Sequence, residues 1–124
     1  MIKWFERHNN VCWLLTLFIA IIIFYISSLT FEPSAGGFSI NSYLYHFLAF
    51  LFFAGFLLIS LLKGRLNKKL FLIAIIIAVL YGISDEVHQL YVPGRHFAII
   101  DIITNSIGIL TASIVYFVLL IKKR

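Results

Sequence analysis

The feature that most constrains the fold of this chain is a series of four long apolar runs separated by short polar segments. The runs cover about residues 11–29, 43–62, 70–91 and 98–121. About 20 consecutive apolar residues are enough for a helix to cross the hydrocarbon core of a bilayer. Transmembrane strands are excluded, because these runs are longer than membrane strands and do not alternate between polar and apolar residues. The pattern therefore predicts four transmembrane helices.

The composition of the chain also indicates a membrane protein. Of its 124 residues, 62% are hydrophobic and 12% are charged, whereas soluble domains are about half apolar and about a quarter charged. The first run is too long for the apolar part of a signal peptide and lacks a small-x-small cleavage site, so we expect a retained span. Short connections predict an all-α, antiparallel four-helix membrane bundle that forms a single domain, residues 1–124.

The positive charges predict how the bundle is oriented in the membrane. Lys and Arg collect at the ends of the runs, and Arg95 alone falls on the opposite side of the predicted bundle from the others. The others are Lys3, Arg7, Lys63, Arg65, Lys68, Lys69, Lys122, Lys123 and Arg124. Because cytoplasmic segments carry the excess of Lys and Arg, both termini are predicted to be cytoplasmic, and the acidic residues from Glu32 to Asp101 to face the outer side. The net charge of +5 is thus a topology signal, and no nucleic-acid partner is predicted.

Acidic and polar residues concentrate in and around one stretch, Ser84–Arg95. Three of the five carboxylates of the chain lie between Asp85 and Asp101. Ionisable groups within membrane spans are costly, so this cluster predicts a functional site. A helix rises about 1.5 Å per residue, and counting from the basic ends places five polar residues about 24 to 30 Å into the membrane, near its outer surface. These five are His46, Asp85, Gln89, Asp101 and Asn105.

Helical periodicity predicts which side chains share a face. One stripe on the third helix comprises Gly82, Asp85 and Gln89, with Glu86 at its border. A second stripe, on the fourth helix, comprises Asp101, Asn105, Gly108 and Ala112. Small residues allow membrane helices to approach closely, so the stripes are predicted to face each other across the Pro93-Gly94 turn, with His46 as a third wall. His88 is predicted to point away from the centre of the first stripe.

The same stretch carries a long spaced pattern, D-E-x-x-Q-x-x-x-P-G-R followed by D-x-x-x-N-x-x-G. It is formed by Asp85, Glu86, Gln89, Pro93, Gly94, Arg95, Asp101, Asn105 and Gly108. This pattern resembles the signature of the VanZ-like family of bacterial membrane proteins, and Tyr45–Phe50 resembles the histidine segment of that family. Ser42-Tyr43 stands where the family often has Asp-Lys, so a role for that lysine does not carry over.

The resemblance covers about residues 27–112 and implies a multi-pass protein of the bacterial cytoplasmic membrane. The family is named for a protein linked to resistance to the glycopeptide teicoplanin, which implies a role in the cell envelope. A first hypothesis is therefore a protein that, within the lipid bilayer, binds or modulates an envelope lipid or a lipophilic glycopeptide on the outer side. The candidate ligand-binding residues are His46, Asp85, Glu86, Gln89, Arg95, Asp101 and Asn105.

Two other classes of function stay open. Paired carboxylates beside a histidine can act as general acid and base, which favours a membrane enzyme acting on a lipid-linked substrate. Its catalytic candidates are His46, Asp85, Glu86 and Asp101. No metal motif such as H-E-x-x-H occurs and no metal or other cofactor is assigned, although these four residues could assemble a metal site across helices. A small transporter or proton relay is the third class, and a structural pairing of Arg95 with Asp85 or Glu86 is the alternative to any function.

Overall fold

The computed structural model describes residues 1–30 and 40–123, and this part of the chain is helical with no strands. Its helices are α1 (Ile2–Arg7), α2 (Asn9–Ser27), α3 (Ile40–Leu62), α4 (Lys68–Gln89) and α5 (Ile99–Ile121). The last four are long and apolar enough to cross a membrane, which confirms the predicted all-α membrane fold. The centre of the predicted first loop, with Glu32, Pro33 and Gly36-Gly37, lies outside the described residues, as does Arg124.

Capping interactions and turns set helix boundaries that hydropathy alone misses. Helix α4 begins at Lys68, before the apolar run, because the Asn67 side chain accepts hydrogen bonds from the Lys69 and Leu70 N–H groups at 3.0 and 3.1 Å. After α4, Gly94 has a φ of 79°, which glycine adopts without steric cost. This residue forms part of the turn that Pro93-Gly94 predicts.

The two ends of the bundle differ in their connections. At the first, which we call the terminal end, Glu6 accepts a hydrogen bond from the Tyr116 hydroxyl at 3.1 Å and forms an ion pair with Lys123. The Tyr116 hydroxyl in turn accepts from the Gly64 N–H at 3.2 Å. These contacts join the start of the chain, the α3–α4 loop and the end of α5. The α4–α5 turn lies at the opposite end, the turn end, so neighbouring membrane helices run antiparallel.

Helix α3 packs against α2, α4 and α5 and supplies much of the core. Helix α3 approaches α5 closely at Gly108 of α5. A Cβ added there would collide with the Phe47 carbonyl oxygen and would lie 3.1 Å from the Leu51 nitrogen. Such contacts through small residues are common between membrane helices. Asn105 lies about one turn from Gly108, so this packing brings its side chain up to α3 at the turn end.

Candidate functional site

His46 of α3 is at the centre of the polar groups at the turn end and is 2% exposed. Its Nδ1 atom lies 2.9 Å from Asn105 Oδ1, and its Nε2 atom lies 3.7 Å from Asp101 Oδ2. An amide oxygen can only accept a hydrogen bond, so the Nδ1 atom carries the proton and donates. In the neutral ring, the Nε2 lone pair is then available on the side of Asp101.

Two adjacent carboxylates of α4 face the same ring. Asp85 is buried and Glu86 is 0% exposed. One ligand atom from each of His46, Asp85 and Glu86 forms a set whose members all lie within 4.8 Å of one another. Helices α3 and α4 thus bring an imidazole and two carboxylates together, and α5 adds Asp101 beside the imidazole. We call these four residues, together with Asn105, the polar cluster.

The polar cluster contains buried atoms with unused hydrogen-bonding capacity. Glu86 Oε2 accepts from the Ala98 N–H at 3.3 Å, at the start of α5. Within the described ranges, 1–30 and 40–123, Glu86 Oε1 and Asn105 Nδ2 have no hydrogen-bond partner. Buried polar groups are nearly always satisfied in proteins, so two unsatisfied atoms in one cluster mark it as a place where a further group can bind.

The remaining predicted residues lie at the same end with different surroundings. Gln89 is buried about one turn beyond Asp85, on the stripe that periodicity predicts. The side chain of Asp101 is 14% exposed, so the polar cluster reaches the surface at this residue. His88 lies off the stripe, with its Nε2 atom 3.0 Å from the Ser28 hydroxyl and its ring stacked on Phe24 of α2.

Arg95 contacts the end of α2. Its Nε atom donates to the Leu29 carbonyl at 3.1 Å and its Nη2 atom donates to the Ile26 carbonyl at 2.8 Å. Carbonyl groups at a helix end have acceptor capacity that the helix does not fill, which suits a guanidinium group. The salt bridges of the described residues do not join Arg95 to Asp85 or Glu86.

Some polar contacts had no usable signal in the sequence. The buried Ser27 hydroxyl lies beside Asp85, yet a serine at the end of an apolar run is too common to single out. The contact of Glu86 with the Ala98 N–H involves a backbone group, which carries no side-chain signature. The same holds for Glu6, whose polar contacts at the terminal end depend on the tertiary fold.

An apolar cavity of about 280 Å³ lies outside the polar cluster. It is formed mainly by α3 and α5 towards the terminal end, and its lining includes Phe52, Gly55, Phe56 and Tyr116. None of the predicted site residues lines it. The polar cluster is therefore a set of packed side chains with an exposed edge at Asp101, and it is separate from this cavity.

Four membrane-length helices around a buried polar cluster define a multi-pass helical membrane protein. A sequence model of the VanZ/LLP1 family matches residues 11–121, and the chain belongs to this family. The match confirms the resemblance drawn from the spaced pattern of acidic, amide and glycine residues. No curated protein and no solved structure gives a significant match.

Proposed function

We propose that this VanZ/LLP1 family protein binds the polar headgroup of an envelope lipid or of a lipophilic glycopeptide in the polar cluster. The observation that carries the proposal is the pair of buried, unsatisfied atoms, Glu86 Oε1 and Asn105 Nδ2, among the described residues. A buried polar group without a partner costs about 1–3 kcal/mol. A donor of the headgroup would satisfy Glu86 Oε1, and an acceptor would satisfy Asn105 Nδ2.

The proposed location is the outer half of the bacterial cytoplasmic membrane. The basic residues of the α3–α4 loop and of the two termini lie at the terminal end, and the positive-inside rule favours a cytoplasmic position for this end. The polar cluster at the turn end would then lie near the outer surface. The family association with teicoplanin resistance supports a ligand from this side of the membrane.

The described contacts suggest how such a ligand would be held. Asp101 is the least buried member of the polar cluster and would meet the headgroup first. The buried carboxylates of Asp85 and Glu86 accept hydrogen bonds from donors that reach further in, and Gln89 offers an amide at the same end. Arg95 ties the end of α2 to the turn and would fix the rim of the site.

The test is to express the chain in a teicoplanin-sensitive bacterium and to measure susceptibility, together with binding of teicoplanin and of extracted envelope lipids to the purified protein. Wild-type protein should reduce susceptibility or retain a specific lipid. Glu86→Gln should abolish the effect, because it changes an acceptor into a partial donor inside the cluster. Glu6→Gln is the matched control at the terminal end and should keep the effect. If Glu86→Gln and Glu6→Gln both kept the effect on susceptibility and binding, or both lost it, the proposal would be contradicted.

A membrane enzyme is a second candidate, favoured by the geometry of His46. Asn105 fixes the proton on Nδ1, so Nε2 is the atom available as a general base, 3.7 Å from Asp101. The reaction would be hydrolysis or group transfer on a lipid-linked substrate. If the protein is an enzyme, His46→Gln should abolish turnover while ligand binding persists. If the wild-type protein shows no turnover and His46→Gln loses ligand binding, the binding role is favoured.

A further inference from the structure

The geometry points to a divalent metal ion bound by His46, Asp85 and Glu86. One ligand atom from each residue lies within 4.8 Å of the other two. Ligand atoms around a divalent ion such as Zn²⁺ lie about 2.0–2.2 Å from it, hence about 3.4 Å apart in a tetrahedral arrangement. Small side-chain rotations that bring the ligand atoms about an ångström closer together would therefore allow these three residues to bind one ion.

The two buried carboxyl groups of Asp85 and Glu86 suit a cation, which would keep both of them ionised. Asp85 and Glu86 are consecutive and buried, and no salt bridge connects either of them to another residue in the described ranges. Buried charges in proteins are normally paired or coordinate metals. Glu86 Oε1 also lacks a hydrogen-bond partner there, although its side chain is 0% exposed. A cation between the two carboxylates would supply the missing partner.

The hydrogen bond of His46 has the form that metal-binding histidines use. Such residues nearly always donate one ring N–H to a carboxylate, a carbonyl group or water, which fixes the tautomer and leaves the other nitrogen free. Here Nδ1 donates to the Asn105 amide oxygen at 2.9 Å. Asn105 is thus a positioning residue for the ligand histidine.

Asp101 gives the proposed site an accessible side. Its Oδ2 atom lies 3.7 Å from His46 Nε2 and its side chain is 14% exposed. Three protein ligands with a further position open to water or to a ligand are typical of reactive or ligand-binding metal sites. Asp101 lies outside the three-residue set, so it would border the open position and leave it to an oxygen atom from outside.

The ligand set indicates the kind of ion. Imidazole suits Zn²⁺ and other transition ions, carboxylates suit Mn²⁺ as well, and thiolates would select softer metals. The only cysteine of the chain, Cys12, is remote from the polar cluster and donates to the Phe5 carbonyl at 3.3 Å. Zn²⁺ and Mn²⁺ are therefore the ions to test.

The ion would deepen the function proposed above, because its open position would bind phosphate or carboxylate oxygens of a headgroup. That role rests on the proposed function, whereas metal binding itself rests on the polar cluster alone. The two are separated by measuring ion binding in detergent without added lipid, and teicoplanin or lipid binding with and without a chelator. A protein that binds ligand but no ion would overturn only the metal site. A protein that binds an ion but no ligand would overturn only the proposed function.

The decisive experiment is a titration of chelator-stripped, detergent-purified full-length protein with Zn²⁺ by calorimetry and with Mn²⁺ by electron paramagnetic resonance. Wild-type protein should bind one ion per chain and unfold at a higher temperature when it is loaded. X-ray absorption of the zinc form should show nitrogen and oxygen ligands with imidazole scattering. Failure of wild-type protein to bind either ion, or a sulfur ligand in the spectrum, would overturn the site.

Variants assign the ion to these residues. Glu86→Gln and His46→Gln should lose binding, and Asn105→Leu should weaken it about tenfold to a hundredfold, as changes next to a metal ligand do. The matched controls, Glu6→Gln at the terminal end and His88→Gln on the α2 side of α4, should bind as wild type does. Asp85→Asn provides a second ligand variant if Glu86→Gln does not fold. Unchanged affinity in a folded ligand variant would contradict the assignment.

Discussion

The Nδ1 atom of His46 lies 2.9 Å from Asn105 Oδ1 across the α3–α5 interface, about one turn from the point where Gly108 meets the backbone of α3. The hydrogen bond and the close helix contact are therefore parts of one interface. Positioning of the imidazole depends on the distance between two membrane helices, and that distance depends on a residue without a side chain.

Gly108→Ala should destabilise the protein by about 1–3 kcal/mol, because the new Cβ would collide with the Phe47 carbonyl and backbone cannot yield easily. Gly55→Ala is the matched control, since a Cβ there has nothing within 4 Å. It should be neutral or stabilise the helix by about 0.5–1 kcal/mol. The free energy of unfolding in mixed micelles measures both. Equal effects at the two glycines would show that the α3–α5 contact is not tight.

Asn105→Leu should lower the free energy of unfolding by about 1–3 kcal/mol, because the buried Nδ1–H of His46 would lose its acceptor. Ser106→Ala is the control on the same helix, since its hydroxyl donates to the Ile102 carbonyl of α5 itself. A change within about 0.5 kcal/mol is expected there. The same denaturation assay compares the two variants, and a similar loss in both would mean that the hydrogen bond between helices contributes little.

Arg95→Gln should loosen the end of α2 and lower stability by about 1.5–3 kcal/mol, the usual contribution of hydrogen bonds to a charged group. The guanidinium group holds the Ile26 and Leu29 carbonyls. Arg95→Lys should restore only part of the loss, because an ammonium group cannot reproduce the planar fork. Hydrogen exchange of the last turn of α2 reports the change directly. Arg65→Gln, at an exposed position of the terminal end, should leave that exchange unaltered.

Labelling of single cysteines tests the proposed orientation. In a Cys12→Ala background, Tyr91→Cys places a thiol at an 81% exposed position of the turn end, and Arg65→Cys places one at the terminal end. A membrane-impermeant maleimide added to intact cells should label the first variant, and the second only after the membrane is opened. The reverse pattern would invert the topology and place the polar cluster on the cytoplasmic side.

Much of this fold follows from the sequence because the bilayer leaves few alternatives. Four apolar runs of spanning length predict four helices, and the structure contains them as α2–α5. Helical periodicity also placed Asp85 and Gln89 on an inward face, where both are buried. Residue spacing predicts the shared face of these two side chains because an α-helix has 3.6 residues per turn, which fixes which side chains lie on the same face.

Other contacts could not be predicted, because they depend on which groups the tertiary fold brings together. Arg95 donates to carbonyl groups at and just beyond the end of α2, more than sixty positions earlier in the chain, and no local sequence pattern indicates a backbone partner. Depth counting put His46 at the level of Asp85 but did not reveal that Asn105 would orient its ring. Helix α1 was missed because a helix of six residues has too few positions for a periodic signal.

The bond between Glu86 and the Ala98 N–H has a mechanical consequence. One carboxylate belongs to the polar cluster and at the same time accepts a hydrogen bond from the N–H of Ala98, the residue before α5. A cation or headgroup bound at Oε1 would share this carboxylate with the Ala98 N–H at Oε2, so filling of the cluster and anchoring of the turn would depend on one side chain. The turn between α4 and α5 would then be held most firmly when the polar cluster is occupied.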